Sequence, residues 1–172
     1  MADQVPIIFL DFDGVLNNQL FYTTGRAKKK IYDIDPDNIK TLSTLFKYDT
    51  RNPKIVVSSS WRSGRTTSDF DEIFSKYDFH PEIIGLTEHL GKGTVRGNEI
   101  KSWLDEHPEL CGDTYYNYNR YVIFDDDSDM LLCQRNNFIH VDAYCGLSPR
   151  NVYHAERILG LKKDDIRGQL GQ

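Results

Sequence analysis

Short apolar runs alternate along this chain with stretches of helical periodicity. Residues 5–10, 54–57, 83–86, 121–124 and 138–141 are of strand length, rich in β-branched and aromatic side chains, and bounded by turn formers, which predicts five strands. Between them lie segments with apolar residues three and four apart. Asp35-Pro36 reads as the N-cap and first residue of a helix whose stripe is Ile39, Leu42, Leu45 and Phe46. Ser68 can cap a helix with an acidic first turn (Asp69, Asp71, Glu72), as the helix dipole prefers. Ile100, Trp103 and Leu104 form one face of a helix that stops before Pro108, and Ser148-Pro149 opens a last helix ended by Gly160. Strand–helix alternation of this kind predicts an α/β fold, a three-layer sandwich around a central, mainly parallel sheet. Without repeats or low-complexity linkers, one domain is expected over residues 1–172, with a core of about 5–160 and a polar tail over 161–172.

Composition changes this picture little. The chain has 172 residues, enough to bury a real core, with 39% hydrophobic and 27% charged residues, ordinary for a globular domain. Its net charge of −5 creates no global field that would attract nucleic acid or an anionic membrane, so a polyanionic substrate must meet a local basic patch. No apolar run approaches the ~20 residues of a membrane span, and no basic segment leads into an apolar core at the N-terminus. No membrane association and a cytoplasmic location are therefore expected. Cys111, Cys133 and Cys145 have neither zinc nor redox spacing and are expected as small buried hydrophobes in a reducing compartment.

Three strand ends carry the chemistry. The first run ends in Asp11-Phe12-Asp13-Gly14, the second in Ser58-Ser59-Ser60-Trp61-Arg62, and the fourth in Asp125-Asp126-Asp127-Ser128-Asp129. In a parallel sheet these C-terminal ends share one rim, where ligands of open α/β sheets bind. Carboxylates behind a buried strand cost desolvation energy unless something compensates them. Two acidic clusters on one rim would also repel each other, and a bound cation is the simple remedy. Oxygen ligands suit Mg²⁺, which keeps waters and takes a phosphate as well. The bland alternatives are acids capping backbone N–H groups in a turn and a solvated acidic loop.

Other motifs fail on inspection. Asp125-x-Asp127-x-Asp129 starts like an EF-hand loop, but Met130 and Asn136 stand where glycine and glutamate are required. Gly91-Lys92-Gly93-Thr94 lacks the spacing of a P-loop. The histidines show no metal-ligand spacing, and no Gly-x-Ser-x-Gly elbow is present.

These residues resemble the haloacid dehalogenase (HAD) superfamily. Asp11-Phe12-Asp13-Gly14-Val15-Leu16-Asn17 is similar to motif I, Val56-Val57-Ser58-Ser59-Ser60-Trp61-Arg62 to motif II, and Ile123-Phe124-Asp125-Asp126 to motif IV. Arg96-Gly97-Asn98-Glu99-Ile100 before a Trp-Leu helix adds a likeness to the small HAD domains of nucleic-acid repair proteins, such as the phosphatase half of polynucleotide kinase–phosphatases. The resemblance implies a Rossmann-like HAD fold and a phosphomonoesterase. Asp11 would be the nucleophile and Asp13 the general acid/base. Mg²⁺ would be held by Asp11, the Asp13 backbone carbonyl and Asp125 or Asp126. Ser58 (or Ser59) and Arg96 would bind phosphate oxygens. Lys92 is the alternative to Arg96 as the motif III cation, and Arg62 could add a bidentate clamp or be an ordinary surface arginine.

Family members acting on small metabolites often carry an inserted cap domain. Here residues 17–54 hold one helix and a loop, too little for a sizeable cap. An open site would admit the end of a nucleic-acid strand, with free mononucleotides as the close rival. Phe21, Tyr22, Arg26, Lys28, Lys29 and Lys30 interleave aromatics and cations near the expected mouth, as a single strand prefers; a solvated loop is the alternative. A phosphotransferase sharing the aspartyl-phosphate and a non-catalytic binding module also remain open.

Overall fold

The computed structural model describes residues 5–28, 33–48, 51–111 and 121–160. Five strands form one sheet: β1 (Ile7–Leu10), β2 (Lys54–Val57), β3 (Glu82–Leu86), β4 (Tyr121–Asp125) and β5 (Phe138–His140). The sheet is parallel throughout, in the order β3-β2-β1-β4-β5. Among the described residues six α-helices accompany it: α1 (Gln19–Thr23), α2 (Pro36–Tyr48), α3 (Thr67–Ser75), α4 (Arg96–Glu106), α5 (Pro108–Cys111) and α6 (Pro149–Ile158).

Alternation along the strands builds two cores. Ile8, Leu10, Ile55, Val57, Val122 and Phe124 face one side, where they pack with Leu42 and Leu45 of α2, Phe70 and Phe74 of α3, and Val152 and Ala155 of α6. Ile7, Phe9, Val56, Tyr121 and Ile123 face the other side and pack with Ile100, Trp103 and Leu104 of α4. The three layers and the parallel sheet are those of the Rossmann-like HAD fold, without a large cap. Because β2 lies on one side of β1 and β4 on the other, the chain reverses its direction of growth between β1 and β4. That crevice is the topological switch point.

Element positions follow the apolar pattern closely, with three departures. The helix expected to start at Ser68 is capped instead by Thr66. Asp69 reaches back to accept from the Thr66 backbone N–H (2.6 Å) and hydroxyl (2.8 Å), as the third helical residue does in a capping box. The polar segment after motif I holds one short helix, α1, capped by the Asn18 side chain accepting from Phe21 N at 2.7 Å. Cys133 and Cys145 are exposed free thiols, since both sit on turns that follow strand ends; the Cys111 side chain lies outside the described residues. The polar tail 161–172 also lies outside them. Among the described residues no helix is long and apolar enough to cross a membrane.

Phe124 is fully buried, on the central strand pair beside the switch point. Phe124→Ala is expected to lower the free energy of unfolding by about 3–5 kcal/mol through lost burial and the cavity left behind; urea denaturation measures it.

Candidate active site

Strand alternation places the charged residues. Leu10 is in register with Val57 and with Phe124, so the next row is Asp11 beside Ser58 and Asp125. The ladder continues into that row, with Ser58 N donating to Leu10 O at 2.9 Å and Asp11 N to Phe124 O at 3.0 Å. These three side chains fall on the α4 side of the sheet. Arg96, the first residue of α4, faces them.

Asp11, Asp125 and Asp126 form the acidic centre: each offers an oxygen, and the three oxygens lie within 4.8 Å of one another. Asp11 and Asp125 are buried. Burial pushes the Asp11 carboxyl up to about 6, against hydrogen bonds from the Ser59 hydroxyl and the Phe12 backbone and the charge of Arg96. Burial followed by the charge of Asp11 pushes Asp125 up to about 8, and burial with the nearby charge of Asp127 raises Asp126. Asp125 Oδ1 accepts from Asp127 N at 2.9 Å, while its buried Oδ2 has no hydrogen-bond partner. Arg96 Nε approaches that oxygen at 3.6 Å, beyond hydrogen-bond distance. A trio of oxygen donors with an unpartnered buried lone pair fits a hard divalent cation such as Mg²⁺.

Gly14 closes this corner. Its φ of +71° lies in the left-handed region, and an added Cβ would stand 2.3 Å from Asp126 Oδ2. Glycine is needed there for both reasons.

Asp13 is exposed and is held apart from the trio. Its Oδ1 accepts from Asn17 Nδ2 at 2.8 Å and its Oδ2 from Trp61 Nε1 at 3.0 Å. Asn17 Oδ1 in turn accepts from Gly14 N at 2.9 Å. Sequence reading passed over Asn17 and Trp61 as holders of Asp13. The indole N–H, which needs a partner when its ring is buried, was the available signal.

The serines divide. Ser59 Oγ contacts Asp11 and accepts from Trp61 N at 3.3 Å, whereas Ser58 Oγ is buried beside Asp11 without a partner. Arg62 is nearly buried and tied down. Its Nη1 donates to Ser59 O at 2.7 Å and its Nη2 to Glu99 Oε2 at 2.6 Å. Glu99, itself buried, also accepts from Arg96 Nη1 at 3.4 Å, and its Oε1 lies 3.1 Å from His89 Nδ1. This carboxylate therefore joins the arginine behind motif II to the one facing the trio. Its position three residues after Arg96 on one helix was the sequence signal. Lys92 is exposed on the loop four residues before Arg96, and Arg96 is the cation that pairs with Asp125. Asp129 accepts from Arg96 N at 2.8 Å, so one acid of the fourth strand end caps α4.

Two groups of the loop after motif I are drawn into the fold. Phe21 is a core residue, and Arg26 pairs with Asp35 (2.9 Å) and Asp37 (2.6 Å) while lying over the Phe21 ring. Tyr22 donates to Asp33 O at 3.0 Å. Lys28 is exposed, and Lys29 and Lys30 lie outside the described residues.

An open parallel sheet with Asp-x-Asp after its central strand, serine after the next, and paired aspartates after the fourth defines a protein of the HAD class. The chain belongs to the family described as the HAD domain in Swiss Army Knife RNA repair proteins, whose model matches residues 7–152. A partial similarity of another kind links it to large ribosomal subunit protein uL23 of Buchnera aphidicola subsp. Acyrthosiphon pisum, strains Tuc7, 5A and APS. The identity is 42% over 48 residues, 28% of this chain and 48% of each relative. The chain thus spans about half the length of these curated relatives. A match of 48 residues cannot contain a sheet that runs from Ile7 to His140, so it bears on a fragment of the fold.

The acidic centre has a pH signature. In the unfolded chain Asp11 and Asp125 titrate near their ordinary value of 3.8, whereas in the folded, cation-free protein they titrate near 6 and 8. The folded state then holds more protons between those values, so its stability declines as pH rises through that window. Thermal melting of cation-free protein is expected to show a lower Tm at about pH 8 than at about pH 5, with Mg²⁺ restoring it most at the higher pH, where the carboxylates are ionised.

Proposed function

We propose that this chain is a Mg²⁺-dependent phosphomonoesterase that removes terminal phosphates from nucleic-acid strands through an aspartyl-phosphate. The observation that carries this reading is the trio Asp11, Asp125 and Asp126 within 4.8 Å, faced by Arg96 and flanked by a separately held Asp13. An Asp11 oxygen attacks phosphorus as the bond to the leaving oxygen breaks, and protonated Asp13 gives that oxygen its proton. Water then attacks the phosphorus of the aspartyl-phosphate. Asp13 takes the water's proton, the Asp11–phosphorus bond breaks, and inorganic phosphate leaves.

Each neighbour has a part in this scheme. Asn17 and Trp61 hold the Asp13 carboxyl by both oxygens, fixing its direction for proton transfer. Ser58, with its free hydroxyl beside Asp11, and Arg96 bind equatorial phosphate oxygens, where charge spreads in the transition state. Ser59 orients Asp11. Arg62 acts behind the site, bracing the Ser59 carbonyl and Glu99, rather than as a clamp on the substrate. Lys92 serves at most the outer substrate. Asp11, Asp125 and Asp126, together with the Asp13 carbonyl, would hold the cation, which when bound keeps the acids ionised and offsets phosphate charge.

Strand ends are favoured as substrates by the absence of a large cap and by the family's description as an RNA repair domain. A free mononucleotide has one observation in its favour. A cavity of about 620 Å³, lined in part by Arg62, Thr87, Arg96 and Glu99, adjoins the trio and is within the size range of small-ligand sites.

Phosphate release should be measured with and without Mg²⁺ from 3′- and 5′-phosphorylated oligonucleotides, mononucleotides and an aryl phosphate. Mg²⁺-dependent release that prefers oligonucleotides and is abolished in Asp11→Asn is expected. Preference for mononucleotides would make the enzyme a nucleotidase, and release surviving Asp11→Asn would overturn the mechanism. Trp61→Phe removes one hydrogen bond to a charged group, worth about 1.5–3 kcal/mol. It should lower kcat by about ten- to a hundredfold with little change in KM, as steady-state kinetics on the aryl phosphate would show.

A further inference from the structure

In the loop after motif I, Phe21 is in the core and Arg26 is paired to two aspartates. A groove of about 800 Å³ lies between β5 and α6. Residues 150, 154 and 157 are spaced as neighbours on one face of a helix, and on α6 these are Arg150, His154 and Arg157. All three are exposed and line the groove, while Val152, Ala155 and Leu159 turn the opposite face into the core. At about 1.5 Å per residue the stripe is about 10 Å long. Arg150 lies within residues 7–152, which the family model matches, and His154 and Arg157 lie beyond them.

The other wall is β5, the edge strand of the sheet. Ile139 faces the α6 side, whereas Phe138 packs on the α4 side. Asp142 is the one acid among the lining residues, and its Oδ1 accepts from Tyr144 N at 2.9 Å. Among the described residues neither Arg150 nor Arg157 has an acidic partner within ion-pair distance.

The groove begins at the catalytic rim. His140 is in register with Asp125, and its Nε2–H donates to the Asp126 carbonyl at 2.7 Å. From there α6 runs away from the rim, carrying Arg150 nearest to it and Arg157 farthest. We infer that the β5–α6 groove binds the strand of a single-stranded nucleic acid whose terminal phosphate sits at the acidic centre. Arg150 and Arg157 contact successive stretches of its phosphodiester backbone. A track of cations is what binds such a backbone, regardless of base sequence. On a chain of net charge −5, a polyanion leaving the site finds there a local cationic path. This inference rests on the strand-end reading proposed above.

The test pairs binding with turnover in the full chain. Fluorescence anisotropy with a labelled single-stranded oligonucleotide carrying a terminal phosphate should show binding that weakens at least about tenfold in Arg150→Glu/Arg157→Glu. The salt slope should fall by about one to one and a half, as expected when two phosphate contacts of a single strand are lost. Aryl phosphate turnover should be unchanged, because neither arginine touches the acidic centre. Should the substitutions disturb folding, an oligonucleotide bearing 4-thiouridine near its phosphorylated end provides an independent readout on the unaltered protein. Crosslinks to residues of β5 or α6 support the groove, and crosslinks confined to other elements overturn it. Unchanged affinity and salt slope in a folded variant would also overturn it. So would displacement of the oligonucleotide by polyglutamate of equal charge, which would assign the groove to an acidic protein segment. Dissociation of an oligomer in the variant would assign the face to a second copy of this chain. Aryl phosphate turnover without any oligonucleotide binding would sink the groove while leaving the phosphatase reading standing. Loss of aryl phosphate turnover in the wild-type protein would sink that reading itself.

Discussion

Two carboxylates are buried side by side where the central strands β1 and β4 end, and the rest of the molecule is arranged around that unfavourable contact. Asp11 and Asp125 occupy adjacent strands of a parallel sheet, one row beyond a hydrophobic ladder that excludes water from below. Desolvation and mutual repulsion both oppose their ionisation, which is why burial leads the causes that raise each of them. A sheet can hold such a pair if a carboxyl keeps its proton, if neighbouring groups favour the charged form, or if a cation joins them. Here Ser59 and the Phe12 backbone donate to Asp11, the Asp127 backbone donates to Asp125, and Arg96 approaches from the helix that covers this face.

That arrangement explains the surrounding residues as a connected set. Arg96 can face the trio because Asp129 caps the start of α4 and because Glu99, one turn later, engages its guanidinium. Glu99 can be buried because Arg62 also neutralises it, and Arg62 is fixed in turn by the Ser59 carbonyl. The chain of contacts returns from there to Asp11. Asp13, by contrast, is exposed and held by Asn17 and Trp61. Two carboxyl groups one residue apart therefore sit in different surroundings, the condition for the separate roles proposed for them above.

Charge distribution outside the centre follows the same logic. An acidic chain cannot attract a polyanion by its overall field, so any basic surface must be local. Arg26 is drawn into α2's N-terminal aspartates and stacks over Phe21, so it stabilises the fold near the mouth. The cations of α6 lie on the face opposite its core residues, with no acid of the described residues paired to them.

Much of this was legible without coordinates. The five strands, the long helices and the three charged strand ends follow from periodicity, because a strand buried on both faces must be continuously apolar and a helix covering it must carry a stripe. Asp11, Ser58 and Asp125 could be placed on one rim from the parallel topology alone. Which groups meet was decided by tertiary structure. The register of β1 with β2 and β4 put those three on the α4 side, and the packing of α4 chose Arg96 over Lys92 as the cation at Asp125. The loop after β2 delivered Trp61 to Asp13 across 48 residues of sequence. Arg62 and Arg26 look like free cations in the sequence and are tied ones in the fold, because a buried acid far along the chain, or just beyond a turn, captures a guanidinium only once both are in place. Local sequence determined the elements and the chemistry available at their ends; long-range packing determined which charge neutralises which.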